Sequence, residues 1–288
     1  MISNHPCLTM VLEGLKVLER KGANPHGPIP LSWMDLLLIS ACILINVGLS
    51  IRFKMGMGKQ LLIAGSRTVI QLFAIGFVLD KVFSINNPLL VFLVLAIMAL
   101  LAGWTISRRT KRTFPGILPT SILSITLPAF LMTGYAVFIV VHPPNWADPR
   151  YLIPLMGMVL GNSLTAISLA MDRFTNAMVE DRPKIELLLC FGFDRKKATE
   201  VPLRDAVRTG MTPMINAMLI VGLVSLPGMM TGQILGGSSP GTAVRYQILV
   251  MFLLAGSTAL GSALSVLLLR RRLLDPRDRL RPSIRERT

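Results

Sequence analysis

The side chains best placed to do chemistry in this chain are polar groups set inside long apolar runs. Arg67 and Gln71 are four residues apart, hence on one face of a helix. Asn162, Ser163, Thr165 and Ser168 follow Gly157 and Gly161, a spacing that lets helices approach closely. A third group mixes helix breakers with polar residues: Pro213, Asn216, Pro227, Gly228, Thr231, Gln233, Gly236 and Gly237. Met211, Met214 and Met218 recur at helical spacing, and Met229 and Met230 are adjacent. Polar groups are costly in hydrocarbon and face a protein interior or a pathway, and a thioether is a soft ligand suited to Cu(I), less so to ferrous iron. Arg67, Gln71, Asn162, Thr165, Asn216, Met218, Met229, Met230 and Gln233 are therefore candidates for a pathway or gate. Plainer readings stand beside this one: Arg67 snorkelling to the interface, small residues serving packing, an external loop over 225–241, and methionines as adaptable filler. His5, His26 and His142 lie outside the apolar runs, so no buried histidine cage is expected and the metal ligands, if any, are unknown.

A second kind of chemistry belongs to the charged stretch from Arg173 to Gly210. There ELLLCFGF (Glu186 to Phe193) precedes DRKKATEVPLRDAVRTGMTP. It reads as a compact amphipathic helix, a glycine stop at Gly192, and a charged helix leading into the next apolar run. Leu187, Leu188 and Leu189 beside Glu186 and Asp194 suit a helix that buries one face in a partner's groove. They equally suit a helix lying on the membrane surface.

The elements that must hold these residues follow from composition. The chain has 288 residues, 52% hydrophobic and 16% charged, well below the roughly 25% charge of soluble domains. Seven apolar runs are long enough to span a bilayer: about 31–51, 61–78, 88–106, 117–141, 152–171, 211–226 (short and interrupted) and 244–269. Lipid offers the backbone no hydrogen-bond partner, so these runs must be helices. The expected fold is all-α and polytopic, with an N-terminal extension over 1–30, a membrane domain over 31–270 containing the loop at about 173–210, and a basic tail over 271–288. Residues 1–30 lack the pattern of a convincing signal peptide.

The formal net charge of +15 comes from short basic blocks between apolar runs, which suit orientation in a membrane rather than nucleic acid. Lys and Arg crowd the first, third and fifth connections and the tail, whereas the second, fourth and sixth hold only Lys81, Arg150 and Arg245. With seven crossings this alternation puts the N-terminus outside and the C-terminus in the cytoplasm. The tail is also suited to contact anionic membrane lipids. Cys7, Cys42 and Cys190 are far apart and imply neither a disulfide framework nor a zinc site.

Four segments carry a family resemblance: RTVIQL (Arg67 to Leu72), GMVLGNSLTAISLAMDR (Gly157 to Arg173), GMTPMINAMLIVGLVSLPGMMTGQILGG (Gly210 to Gly237) and AVRYQILVMFL (Ala243 to Leu253). In matching order over about residues 31 to 270, they resemble the FetB-type family of iron-export ABC permeases, related to plant aluminium-tolerance permeases. The resemblance implies a multi-pass permease of the inner (plasma) membrane that exports iron or a related metal. It also implies a homodimer working with a separate cytoplasmic ABC ATPase, with Glu186, Leu189, Gly192, Phe193 and Asp194 at the docking site. ATP and Mg would belong to that partner, since this chain has no GxxxxGK[ST] phosphate loop and is expected to be no enzyme itself. Non-metal cargo such as a sugar nucleotide or lipid fits the same scaffold. An ion-coupled secondary transporter calls for mid-span carboxylates, but Asp35, Asp80 and Asp172 lie near run ends; an intramembrane enzyme calls for a nucleophile and base that are not apparent.

Overall fold

The computed structural model describes residues 31–85 and 87–274 and the backbone of Arg285 and Glu286; the expected N-terminal extension and most of the basic tail lie outside the described residues. The described elements are helices α1 (Trp33–Arg52), α2 (Gly58–Ile85) and α3 (Pro88–Arg109), strand β1 (Arg112–Thr113), α4 (Ile117–Tyr135), α5 (Pro149–Glu180), α6 (Arg182–Cys190), α7 (Arg195–Ala198), α8 (Glu200–Ile220), α9 (Gly228–Leu235), α10 (Pro240–Leu273) and β2 (Arg285–Glu286). A π-helical turn, Ala136–Val141, continues α4. The molecule is a multi-pass membrane protein, all-helical but for the two short strands.

Six helices are long and apolar enough to cross a bilayer: α1, α2, α3, α4 with its π-turn, α5 and α10. Their ends obey local rules. Ser32 caps α1 in a reciprocal box with Asp35. Asn87 and Asp148 cap α3 and α5, each followed by a proline at the first helical position. Arg52, Arg108, Arg109 and Arg270 to Arg272 occupy last turns, where cations meet the negative end of the helix dipole.

The run expected over 211–226 takes a different form. It begins inside α8, whose first half carries Glu200, Arg204, Asp205 and Arg208. Only the part beyond Gly210 is apolar, roughly 15 Å at 1.5 Å per residue, about half a hydrocarbon core. The chain then folds sharply: Gly222, at φ +81°, donates its N–H to the Ser225 carbonyl at 2.9 Å. The segment afterwards is a short helix, α9, rather than an irregular loop.

The chain forms two compact units. The first, up to Lys81 with 228–244, contains an antiparallel hairpin of α1 and α2. Trp33 stacks on Phe73 at 5.5 Å, and the Ile43 side chain fills the space over Gly65. Most of the hairpin's large apolar side chains are exposed, as befits helices apolar all round that meet lipid.

The second unit, 82–227 with 245 onward, holds the core. Its axis is α10 from Arg245 on, whose small residues admit the neighbours. Gly256 faces the Met132 sulfur, Gly261 faces Ile167 and the Ser124 carbonyl, and Ser262 faces Gly210. Ser257 and Ser163 share a buried hydrogen bond of 2.8 Å. Pro128 inside α4 has no N–H to give the Ser124 carbonyl, and α10 makes its close approach to α4 at that carbonyl. Gly103 packs equally tightly on the backbone of Ile122. This is small-residue packing of the kind that brings helices together in lipid.

Two connections complete the second unit. Asp172 accepts a hydrogen bond from the Lys111 backbone N–H at 2.8 Å, tying the basic α3–α4 connection to α5. In that connection Arg112 and Thr113 pair antiparallel with Glu286 and Arg285. Near the other end of α5, Trp146 stacks on Phe138 at 6.1 Å and meets Phe92 at 6.0 Å, an aromatic cluster suited to the membrane interface.

Candidate functional site

The loop singled out by the sequence is built on the ends of two antiparallel helices. α5 is 32 residues long, roughly 48 Å, and so exceeds a bilayer core of about 30 Å. Its last turns, past Asp172, lead into α6 and α7, from which α8 returns. Arg173 and Asp205 approach at 3.9 Å, and Gly210 lies against Ala166 and Ala170. Any displacement of α6 and α7 therefore acts on both helices at once.

Within the loop, Arg182 donates to Glu186 at 2.8 Å, one turn along α6, and the neighbouring Ile185 is buried. The chain stops at Gly192, whose φ of +82° is the left-handed conformation that ends a helix without a Cβ penalty. Gly192 donates to the Leu189 carbonyl at 3.0 Å and Phe193 to the Leu188 carbonyl at 3.1 Å. Asp194 is the residue before α7, with no side-chain capping bond. Large apolar groups stand outward: Leu187 is 56% exposed, Phe191 73% and Phe193 45%. The predicted amphipathic helix, glycine stop and charged helix are all present, and Glu186, Leu189, Gly192, Phe193 and Asp194 lie in one compact turn. Phe191, more exposed than Phe193, was not among the predicted residues, although it stands inside the quoted ELLLCFGF.

The pathway candidates fall into two groups, one in each unit. In the second unit the contacts of Arg173 with Asp205 and of Gly210 with Ala166 and Ala170 fix the register between α5 and α8. Stepping along both helices, Asn216 comes level with Asn162, near the middle of the apolar stretch of α5. Asn162, Thr165 and Asn216 are all exposed. The Asn162 amide donates only to the Met158 carbonyl of its own helix, at 3.0 Å. Its side-chain oxygen and both polar atoms of Asn216 have no partner among the described residues. Ser163 and Ser168, of the same sequence group, are buried in the packing instead, and Met218 is half-buried on α8.

Gly157 and Gly161, whose spacing permits close approach, receive no helix backbone among the described residues. Nothing lies within 4 Å of a Cβ built at Gly161, and at Gly157 the nearest atom is the flexible end of Met98 at 3.4 Å. Glycine spacing marks where helices can meet, and the partner helices instead meet at Gly103, Gly210 and Gly261. Gly210 and Gly261 could have been found from the small-residue spacing of Ser257, Gly261 and Ser265 in α10 and from the glycine ending the charged half of α8.

In the first unit, the Arg67 guanidinium donates to the Gln71 side-chain oxygen at 3.0 and 3.3 Å with the amide in its bonded orientation. The predicted shared face is thus an actual pair. Met229, Met230 and Gln233 stand half-buried on α9, with the Gln233 side-chain oxygen buried and without a hydrogen-bond partner among the described residues. Among the described residues no three His, Cys, Asp or Glu side chains gather as metal ligands. The groups at the candidate positions are guanidinium, amide, hydroxyl and thioether.

Comparison with known proteins agrees with the helical reading. Residues 33–274 match the Uncharacterised protein family (UPF0014). The chain is 39% identical over 229 residues to the UPF0014 membrane protein slr1647 of Synechocystis, covering 80% of this chain and 88% of that one. It is 30% identical over 252 residues to the "Probable iron export permease protein FetB" of Escherichia coli, covering 86% and 92%. It is 32% identical over 229 residues to the Protein ALUMINUM SENSITIVE 3 of Arabidopsis thaliana, covering 78% and 81%. No solved structure matches. With a family match running from the first helix to the end of α10, and relatives matched over most of their length, this chain belongs to the UPF0014 family of membrane proteins.

Proposed function

We propose that this chain is the membrane-spanning permease subunit of an ATP-driven transporter, and that its ATPase is a separate cytoplasmic subunit docked on α6 and α7. The observation that carries this reading is the placement of the α6–α7 loop. Its exposed Leu187, Phe191 and Phe193 offer an apolar surface for a partner's groove, and it joins the two helices that bear Asn162 and Asn216. Closure of the partner, with ATP and Mg bound there, would shift α5 against α8 and alternate access past Asn162 and Asn216. Two copies of each subunit would form the pathway between permease chains.

The cargo we assign is iron or a related metal, on the strength of the relative named as a probable iron export permease. We further assign seven crossings. The five long helices before α6 bring the chain to the basic side at Arg182, while α10 ends at Arg270 to Arg272 on that same side and must begin opposite. The chain between 181 and 239 therefore crosses once, with α8 as its first half. This puts the N-terminus outside and the C-terminus inside.

The test is ATPase activity of the co-purified complex in lipid, with and without ferrous iron. Iron-selective stimulation that is lost in Glu186→Ala is the expected result. That substitution removes an exposed i,i+4 pair worth little to stability, so a lost response reports coupling. A complex stimulated by a sugar nucleotide or lipid and indifferent to metals would keep the permease and replace the cargo. Failure to co-purify with any ATPase would remove the reading.

A further inference from the structure

We propose that the turn joining α1 to α2 is a binding site for the phosphate of an anionic phospholipid headgroup. The turn borders an open cleft of about 540 Å³ lined by Val47, Ser50, Ile51, Lys54, Lys59 and Leu62 together with Gly56 and Gly58. Two lysines thus line one cleft, and neither Lys54 nor Lys59 has an acidic partner among the described residues.

The cleft is shaped by the backbone. Lys54 at φ +51° and Gly56 at φ +70° both take left-handed conformations, which reverse the chain and bring Lys54 and Lys59 to the same cavity. Ser50, 3% exposed, accepts the Met57 N–H at 3.0 Å and so fixes the turn. Its hydroxyl hydrogen has no acceptor among the described residues, although Ser50 lines the cavity. A buried hydroxyl beside a cleft that two lysines also line suits an acceptor carrying negative charge.

Phosphate meets these requirements. It takes charge-assisted bonds from lysines and a hydroxyl, and the first turn of α2 opens on the cleft at Gly58 and Lys59, where free N–H groups and the helix dipole favour an anion. The remaining walls, Val47, Ile51 and Leu62, are apolar and continue onto the exposed faces of two spanning helices. A headgroup phosphate in the cleft would leave its acyl chains along those faces, at the depth where basic pockets between helices select anionic lipid. A free phosphate shares the polar chemistry but has no use for the apolar walls.

The experiment uses the full-length protein, delipidated and returned to nanodiscs of phosphatidylglycerol or phosphatidylcholine, with retained lipid read by native mass spectrometry. We expect preference for phosphatidylglycerol, reduced roughly 30-fold in Lys54→Gln/Lys59→Gln, at about a factor of five per lysine. The charge-conserving Lys54→Arg/Lys59→Arg retains it. Arg108→Gln/Arg109→Gln, which removes two charges from another helix end, leaves it essentially intact. An unchanged preference in the glutamine pair, or an equal loss in the Arg108 and Arg109 pair, overturns the site. Millimolar inorganic phosphate separates the two sources: retained lipid assigns the site to the headgroup, and displaced lipid assigns it to a free anion. Unfolding temperature, measured in the same discs, must be unaltered for the loss to count.

Discussion

At the scale of single residues, three glycines that look alike in sequence have different work. Gly192 turns the chain where an L-residue would pay about 1–2 kcal/mol for the left-handed conformation. Gly192→Ala should therefore leave membrane abundance near normal but lower transport several-fold, because the turn carrying Phe191 and Phe193 is displaced; a transport assay alongside quantitative blotting checks this. Gly210 is a contact glycine. An added Cβ there would stand 2.7 Å from the Ala166 carbonyl oxygen, 2.8 Å from the Ser262 hydroxyl and 3.0 Å from the Ala170 Cβ. Gly210→Ala should cost about 1–3 kcal/mol as an overpacked interface, seen as a lower unfolding temperature in detergent. Gly161→Ala, with open space around it, should lie within about 0.5 kcal/mol of the parent.

At the scale of elements, the strongest test falls on α10. Ser163 and Ser257 share one buried hydrogen bond between α5 and α10. Replacing either by Ala should cost about 1 kcal/mol, whereas the double replacement should cost little more than one single, since neither hydroxyl is then left alone. Unfolding of the four variants checks this. The elements themselves were legible in unequal measure. Six spans can be read directly from apolar runs, because hydrocarbon forbids any other backbone arrangement. The helix over α8 is harder, since its charged first half and apolar second half belong to different surroundings and no single run shows its length. The partner glycines are harder still: spacing says that Gly157 and Gly161 permit approach, but only the path of α10 decides that Gly210 and Gly261 receive it. The π-turn at Ala136–Val141 has no signal beyond a nearby proline. The loop was the most legible part of the candidate site, because a helix, a glycine stop and a second helix are local features; the level placement of Asn162 and Asn216 depends on contacts between distant segments.

At the scale of the whole molecule, the number of crossings decides which connections share a side. Cys190 is exposed in the α6–α7 loop and provides a native label. In a variant with Cys7 and Cys42 replaced by serine, a membrane-impermeant maleimide should reach Cys190 only after the cells are opened. With Cys190 also replaced, a single Ser239→Cys should react in intact cells. Reaction of both from the same side would mean that the chain between 181 and 239 does not cross, and the count would fall to six. Addition of the ATPase subunit should protect Cys190, since its neighbour Phe191 lies at the proposed dock.

The position of α10 in the chain has a consequence in time. The helix whose small residues receive α4, α5 and α8 is also the last of the described long helices to leave the ribosome. Until it arrives, Ser163 and the carbonyl of Ser124 face the nascent chain's surroundings without their final neighbours. A chain that stalls before α10 would thus lack the hydrogen-bond partner of the Ser163 hydroxyl and the packing over the Ser124 carbonyl, a mark by which an unfinished molecule differs from a finished one. Of the described long helices, the last to be made is the one that closes the core.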